Sequence, residues 1–381
     1  MIINWSEFLQ KVEKISCLWV GETHGIAKNY KAYKLLIGKL MPLGFNTIAL
    51  EMPEDLENFS RKNFLKYAHY FDGRFSKESL NFFEWLENLE GIRILCFDVR
   101  TPKATQQEDE EQMARNLLSK IGKKEKVLVL SGSFHSGTDK QQTVLPMAGI
   151  VKEKIEENLV AMEFKYQKGH FYNFGMRKFT KKFHHFDSKN LSFGKITLDQ
   201  NGDTKYFFHC SRSVPVTLLK ETIKKRLKDL FEQDQEDRKN WKWDNPIFLK
   251  EVRKKDKDKR TEVEWLLAQA KELDGENYYH AAMIYQHGDA TSDYKRAHLL
   301  AKKAVDKGYD PAKWLYAASL DRYLVSRGKL QKYGTQYHRN KNGKYELPSV
   351  DSTVTDMSRK ELSVPTINEM KQRIKDLNKS N

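Results

Sequence analysis

Over the first 165 positions the apolar residues keep two alternating rhythms. Near-continuous apolar runs at 16–20, 46–50, 92–97, 127–130 and 159–164 predict β-strands. Between them, Trp5, Phe8, Leu9 and Val12 in residues 4–14 recur at helical spacing, as do Tyr33, Leu36, Ile37 and Leu40 in residues 31–41. Residues 56–69 and 77–89, rich in Phe and Leu, and residues 108–121 and 143–152 complete the predicted helices. Strands apolar along their whole length, alternating with helices, belong to a mostly parallel sheet covered on both faces. Residues 171–174 and 206–209 read as edge or antiparallel additions.

The rhythm changes after residue 215. Lys, Glu, Asp and Arg dominate residues 216–258, Trp241, Trp243 and Pro246 interrupt them, and 254–260 is almost wholly charged, so 216–260 reads as a partly helical connector. Helices follow at 262–273, 276–287, 293–307, 311–327 and 367–377, with Pro311 as a start and Gly308 and Gly328 as stops. The expected architecture is α/β, a mostly parallel sheet flanked by helices over 1–215, then the connector, then a smaller all-α helical domain over 261–381.

Composition narrows the partners. The 67 Lys and Arg against 52 Asp and Glu give a formal charge of +15, but the excess is spread along helix faces. No aromatic-interleaved basic motif or zinc-finger spacing accompanies it, which speaks against nucleic acid and leaves a small-molecule or peptide substrate as the expected partner. Cys17, Cys96 and Cys210 are far apart, as reduced thiols would be. No basic leader precedes an apolar core and no apolar run reaches membrane length, so no membrane span and a cytoplasmic location are expected.

Candidate chemistry gathers where strands stop. Ligands of open α/β sheets bind beyond the carboxyl ends of the strands, and Glu22, His24, Glu51, Asp98 and His135 all fall at or just past such ends. Gly21-Glu22-Thr23-His24 is echoed by Gly132-Ser133-Phe134-His135, each after an apolar run. Histidine can act as general base and a neighbouring carboxylate can orient it. The glycines would let the backbone approach a ligand and free amides for an oxyanion. Ser133 is a supporting residue, since Ser131-Gly132-Ser133-Phe134-His135 is not a Gly-x-Ser-x-Gly elbow.

These two motifs with Glu51 between them resemble the superfamily that joins erythromycin esterases, ChaN-like haem-binding lipoproteins and Tiki metalloproteases, over residues 15–165. The resemblance implies that His24 or His135 serves as base or metal ligand and that Glu22 and Glu51 activate water or bind metal. Glu22, His24 and His135 would be the ligands of a divalent metal, with haem as the rival cofactor. It also implies an arginine in the helix after the first motif, where this chain has Lys28, Lys31 and Lys34; Arg100, two residues after Asp98, is the nearest substitute. The inserted helical substrate domain of a macrolide esterase is missing, so antibiotic hydrolysis is not expected. The expected function is hydrolysis of an ester or amide bond; the rivals are a non-catalytic haem, metal or small-ligand binding protein, and a helical adaptor with an inert sheet domain.

A second cluster lies near the C-terminus. His280 and His287, seven apart, would share a helix face, with Asp289, His298, Asp321, Arg322 and a polar loop ending at Gln336 nearby. The helix pairs resemble tetratricopeptide or Sel1-like hairpins. Asp321-Arg322, Gly328-Lys329-x-Gln331 and Tyr333-Gly334-Thr335-Gln336 resemble a bacterial domain family marked by that Tyr-Gly-Thr-Gln loop, over 262–378, and no activity follows from the likeness. The loop could close over the helix face or serve the fold.

Overall fold

The computed structural model describes residues 1–99, 103–141, 143–155, 158–179, 192–199, 205–239 and 245–379. The chain divides into two compact units, Met1–Thr222 and Ile223–Asn381.

The first unit is built on a nine-stranded sheet. Its strands are β1 (Ile2–Ile3), β2 (Cys17–Glu22), β3 (Thr47–Pro53), β4 (Arg93–Asp98), β5 (Val127–Gly132), β6 (Leu159–Tyr172), β7 (Met176–Lys178), β8 (Ile196–Asp199) and β9 (Lys205–Ser213). They run in the order β1-β8-β9-β6-β2-β5-β3-β4, with β7 attached to β6. Pairing is parallel from β9 through β4, and antiparallel where β1 meets β8, β8 meets β9 and β7 meets β6.

Helices cover both faces, and the alternation along each strand shows why the runs are apolar throughout. Leu18, Val20, Ile48, Leu50, Leu128 and Leu130 pack in one core with α1 (Trp5–Val12), α2 (Ala27–Leu40), α3 (Arg61–Lys66) and α4 (Lys77–Glu87). Cys17, Trp19, Ala49, Val127 and Val129 pack in the other with α5 (Gln106–Lys120) and α6 (Met147–Lys154). Each fully buried Leu, Val or Phe contributes about 1.5–3 kcal/mol of transfer free energy, so a polar residue within these strands is affordable only at their ends.

One expectation changes and two hold in part, since residues 171–172 pair antiparallel with β7 and residues 206–208 antiparallel with β8. Residues 206–209 lie within β9, which is interior, parallel to β6 on one side and antiparallel to β8 on the other. The predicted helix over 56–69 reduces to α3, because Ser60 caps its start by accepting the Asn63 amide at 3.1 Å. Residues 171–172 prolong β6, which turns back only at β7.

The second unit is mostly helical. Residues 216–260 contribute α7 (Lys220–Lys239) and the first part of α8 (Pro246–Gln269), and from Ile223 they belong to this unit; Trp241 and Trp243 lie outside the described residues. The helix expected from 262 therefore begins at Pro246. Its charged stretch is paired, with Asp256 accepting from Arg238 at 2.7 Å and Lys259 donating to Asp237 at 2.6 Å. After α9 (Gly275–Gln286), α10 (Thr291–Asp306) and α11 (Ala312–Val325) come a small hairpin of β10 (His338–Arg339) with β11 (Tyr345–Glu346), then α12 (Asp356–Glu361) and α13 (Ile367–Lys379). α10 packs on both α9 and α11. Buried Ala281, Ala297, Ala301, Ala304 and Ala318 keep side-chain bulk low on these helices. No helix among the described residues is long and apolar enough to cross a membrane.

Candidate active site

Register brings the motifs together. Glu22 stands opposite Gly132 in the parallel β2–β5 pair, β3 flanks β5, and β4 flanks β3. The carboxyl ends of four adjacent strands therefore deliver Glu22, the turn leading to His135, Glu51 and Asp98 to one place. The glycines serve this packing. A Cβ on Gly21 would lie 2.0 Å from Ser136 Oγ, and one on Gly132 would lie 3.0 Å from His24 Nε2. The Gly132 amide donates to Glu51 Oε2 at 2.7 Å, so it is committed to that carboxylate rather than held for an oxyanion.

Each imidazole has a carboxylate at its Nδ1, hydrogen-bonded at His24 and in ion-pair contact at His135. His24 Nδ1 lies 2.5 Å from Glu22 Oε1, and the other Glu22 oxygen accepts from Asn29 Nδ2. Asn29 is held in turn by Tyr166, whose hydroxyl donates to its Oδ1 at 2.7 Å. His135 Nδ1 lies 2.7 Å from Glu110 Oε1, while Glu110 Oε2 accepts the Met147 amide at 2.8 Å. Both rings then turn Nε2 toward Glu51, His24 at 3.5 Å from Oε2 and His135 at 3.5 Å from Oε1. Their side chains keep 15% and 14% exposure, enough to be reached from solvent.

The positive charge behind Glu51 comes from Arg74. Its Nη1 donates to Glu51 Oε1 at 3.1 Å, to the Glu51 carbonyl at 2.8 Å and to Asp98 Oδ2 at 2.7 Å, and its Nε donates to Asp72 Oδ2 at 2.8 Å. Arg100, the arginine singled out from the sequence, lies outside the described residues.

Electrostatics follow from this packing. Burial alone would lower the His24 ring, but the charges of Glu22 and Glu51 outweigh it and raise it to about 10. His135 goes the same way, against burial, to about 9 through Glu51 and Glu110. Burial pushes Glu51 up, but His135, His24 and Arg74 hold it well below the usual carboxylate range. Glu22 stays raised, because burial outweighs its histidine. In the resting state both imidazoles are protonated at neutral pH and face one ionised carboxylate.

A divalent metal on Glu22, His24 and His135 does not fit this arrangement. His24 meets Glu22 through Nδ1, His135 meets Glu110 through Nδ1, and Glu51 already has Arg74 and the Gly132 amide at its oxygens. Among the described residues no three His, Cys, Asp or Glu side chains are placed to hold a metal ion. The space lined by Glu22, His24, Glu51, Arg74 and Ser131 measures about 30 Å³, room for a water between these groups.

Of the remaining candidates, Ser133 is exposed, with its amide donating to the Glu22 carbonyl at 2.8 Å. The second cluster does not converge on one point. His280 stacks on Phe231 at 4.6 Å, and His298 Nδ1 meets the Tyr316 carbonyl at 3.1 Å. His287 pairs with Asp234 at 2.8 Å. Asp321 accepts the amides of Lys332, Tyr333 and Thr335 at 2.7–2.9 Å, which makes the Tyr-Gly-Thr-Gln loop part of the fold. Arg322 donates to Gln336 Oε1 at 3.0 Å and to the Gln286 carbonyl at 2.6 Å.

Arg74, Glu110, Asp72 and Asn29 are the site residues that the sequence reading did not select. Glu110 had a visible signal, since it shares the inward stripe of α5 with Met113 and Leu117 and is itself buried.

No family model and no curated protein matches the chain. Among solved structures, a succinoglycan biosynthesis protein is 12% identical at a TM-score of 0.39, over 55% of this chain and 91% of its own. A Bacillus cereus protein is 10% identical at 0.37, over 56% and 92%. ChaN of Campylobacter jejuni, in a structure titled for cofacial haem binding, is 18% identical at 0.26, over 43% and 87%. None of the three reaches a TM-score of 0.5, and the functional reading rests on the geometry of this chain.

Proposed function

We propose that the first unit is a hydrolase that cleaves an ester or amide bond of a small molecule or peptide in the cytoplasm, using His24 and His135 as its proton-transfer pair. The observation that carries this reading is the pair of carboxylate-braced imidazoles, Glu22–His24 and Glu110–His135, which turn their Nε2 atoms to one carboxylate. A carboxylate on Nδ1 fixes the ring and steadies the charge it gains on accepting a proton. At 3.5 Å from Glu51, neither Nε2 is within a normal hydrogen bond, so both can reach a substrate.

In the working form one ring is neutral and one protonated. The neutral ring, assigned to His135 because it holds its proton less tightly than His24, takes a proton from water at Nε2 as the oxygen attacks the carbonyl carbon. His24, still protonated, steadies the developing oxyanion and gives its Nε2 proton to the departing alcohol or amine as the intermediate collapses. Because both rings are raised, this form is populated on the alkaline side, and turnover is expected to rise from pH 7 to about 9.

The test is a panel of p-nitrophenyl esters and peptide anilides offered to the full chain. Wild type should turn over at least one of them, and a variant carrying His24→Gln and His135→Gln should fall to the uncatalysed rate with an unchanged circular dichroism spectrum. Undiminished turnover in that variant would sink the proposal. Gly132→Ala should also act on rate. Its new methyl would stand 3.0 Å from His24 Nε2 and 3.4 Å from Glu51 Oε2, so the imidazole has to give by a few tenths of an ångström; a several-fold loss is expected, short of the roughly hundredfold that a displacement of about 1 Å can cost. Steady-state kinetics on the same substrate checks this.

A further inference from the structure

β9 runs parallel to β6, and β6 to β2, so the chain leaves β9 at the same sheet end as the candidate site. Residues 214–218 then pass between the two loops that carry His24 and Arg74. On one side is the loop after His24. The Ala27 amide donates to the Val214 carbonyl at 2.9 Å, the Val216 amide donates to the Gly25 carbonyl at 3.0 Å, and Ile26 bridges Pro215 antiparallel. On the other side is the loop after Arg74. The Thr217 carbonyl accepts the Lys77 amide at 2.9 Å, and Leu218 bridges Ser76 antiparallel.

One carboxylate closes the second contact. Glu78 Oε2 accepts the Thr217 amide at 2.8 Å, and Glu78 Oε1 accepts the Thr217 hydroxyl at 2.9 Å. Both bonds end on a charged acceptor, which makes them stronger than neutral ones, and two points of contact fix orientation as well as distance.

The two loops also touch each other directly. Gly25 adjoins His24, Gly73 adjoins Arg74, and both glycines have left-handed backbone, with φ of 78° and 86°. A Cβ on Gly73 would lie 2.4 Å from Gly25 Cα and 2.5 Å from the Tyr172 carbonyl oxygen. A shift of residues 76–78 against 214–218 is therefore passed to the loop of His24. That ring stands 3.5 Å from Glu51, the carboxylate that Arg74 holds at 3.1 Å. His135 is anchored elsewhere, by Glu110 at its ring and by the Ala148 amide, which donates to its carbonyl at 2.9 Å.

We propose that Glu78 and Thr217 are positioning residues for the candidate site: their two-point contact ties residues 214–218 to the loop of Arg74 and so sets the His24 ring against Glu51. The effect on rate rests on the hydrolase reading, whereas the effect on the ring does not.

Imidazole ¹H–¹⁵N spectra of the full chain test this, with the His24 and His135 signals assigned from the single His→Gln variants. Glu78→Ala removes both acceptors and should shift or broaden the His24 ring signals while those of His135 stay close to wild type. Glu78→Gln keeps an acceptor for the Thr217 amide and a polar partner for its hydroxyl, and should bring the His24 signals back. It also separates the contact from an ordinary acid in the first turn of α4, since both variants lose that charge. On an ester that wild type turns over, kcat should fall about tenfold in Glu78→Ala with KM unchanged, and recover in Glu78→Gln. If Glu78→Ala loses its near-ultraviolet circular dichroism, Thr217→Val, which deletes the hydroxyl bond alone, takes its place with the same expected direction. An unmoved His24 ring, equal changes at His24 and His135, or a Glu78→Gln spectrum like that of Glu78→Ala overturns the proposal. Failure of every ester to react counts against the hydrolase reading instead, and the spectra then decide the positioning role by themselves.

Discussion

Arg74→Met will leave the first unit largely unfolded or melting far below wild type. The substitution keeps the aliphatic stem but removes the charge shared by Glu51, Asp72 and Asp98, all of whose side chains are at least nine-tenths buried. Removing one partner of a single buried ion pair costs about 3–5 kcal/mol, because the other charge stays behind. Here three carboxylates stay behind. Since domain stabilities are typically about 5–15 kcal/mol, this one change is expected to consume most of the margin. Arg74→Lys should fall between the two, because an ammonium retains the charge but cannot reproduce the Nε and Nη1 contacts in one plane. Urea unfolding followed by far-ultraviolet circular dichroism measures both, and a midpoint within error of wild type for Arg74→Met would remove Arg74 from its central place.

Stability should also fall on the alkaline side while turnover is still rising. His24 at about 10 and His135 at about 9 lie above the ordinary histidine value, so the folded state binds their protons more tightly than the unfolded chain does. Their contribution is complete below about pH 6.5 and is lost as pH climbs through 9 and 10. Each tenfold gain in proton affinity on folding corresponds to about 1.4 kcal/mol, so the pair accounts for several kcal/mol, and its members share the field of Glu51 and titrate together. Glu51 and Asp72, held low by their cations, set the opposite limit: their contribution is present above the ordinary carboxylate values and fades as pH drops through the lowered ones. Glu22, raised by burial, instead draws stability down as it ionises. Urea midpoints measured from pH 6 to 10 should slope downward in wild type and flatten when both histidines are glutamine. A level alkaline limb in wild type would show that the rings are not held as charged partners of Glu51.

What could be read from the chain beforehand follows a physical division. Glu22, Glu51 and Asp98 were visible because an apolar run that ends abruptly in an acid marks both a strand and the place where burial stops. The two histidines were visible through their repeated spacing from glycine. Arg74 was hidden, because it follows an ordinary Asp72-Gly73 turn, and only the packing of that turn against the strand ends makes it a partner of three acids. The need for an arginine was already implied by the family resemblance, and three acids and two histidines at one sheet end call for a buried cation on physical grounds; its position was what stayed hidden. The interior position of β9 was equally hidden, since its pairing with β6 is decided by contacts remote in sequence. In the second unit helix ends were legible through local caps, such as Asp274 accepting the Asn277 amide at 3.1 Å. The charged stretch before it looked like a linker because its partners, Arg238 with Asp256 and Lys259 with Asp237, come from the preceding helix.

The in-register pairing of Glu22 with Gly132 has a bearing on how such a chain can change over time. Side chains on a strand alternate between faces, so gaining or losing one residue inside β2 or β5 would turn Glu22 or the Gly132 corner to the wrong side and strand one histidine without its partner. The connections between strands carry no such constraint. Lineages of this fold are free to lengthen, shorten or replace those connections, and with them whatever selects a substrate, while the spacing from Cys17 to His24 and from Val127 to His135 has to be inherited intact.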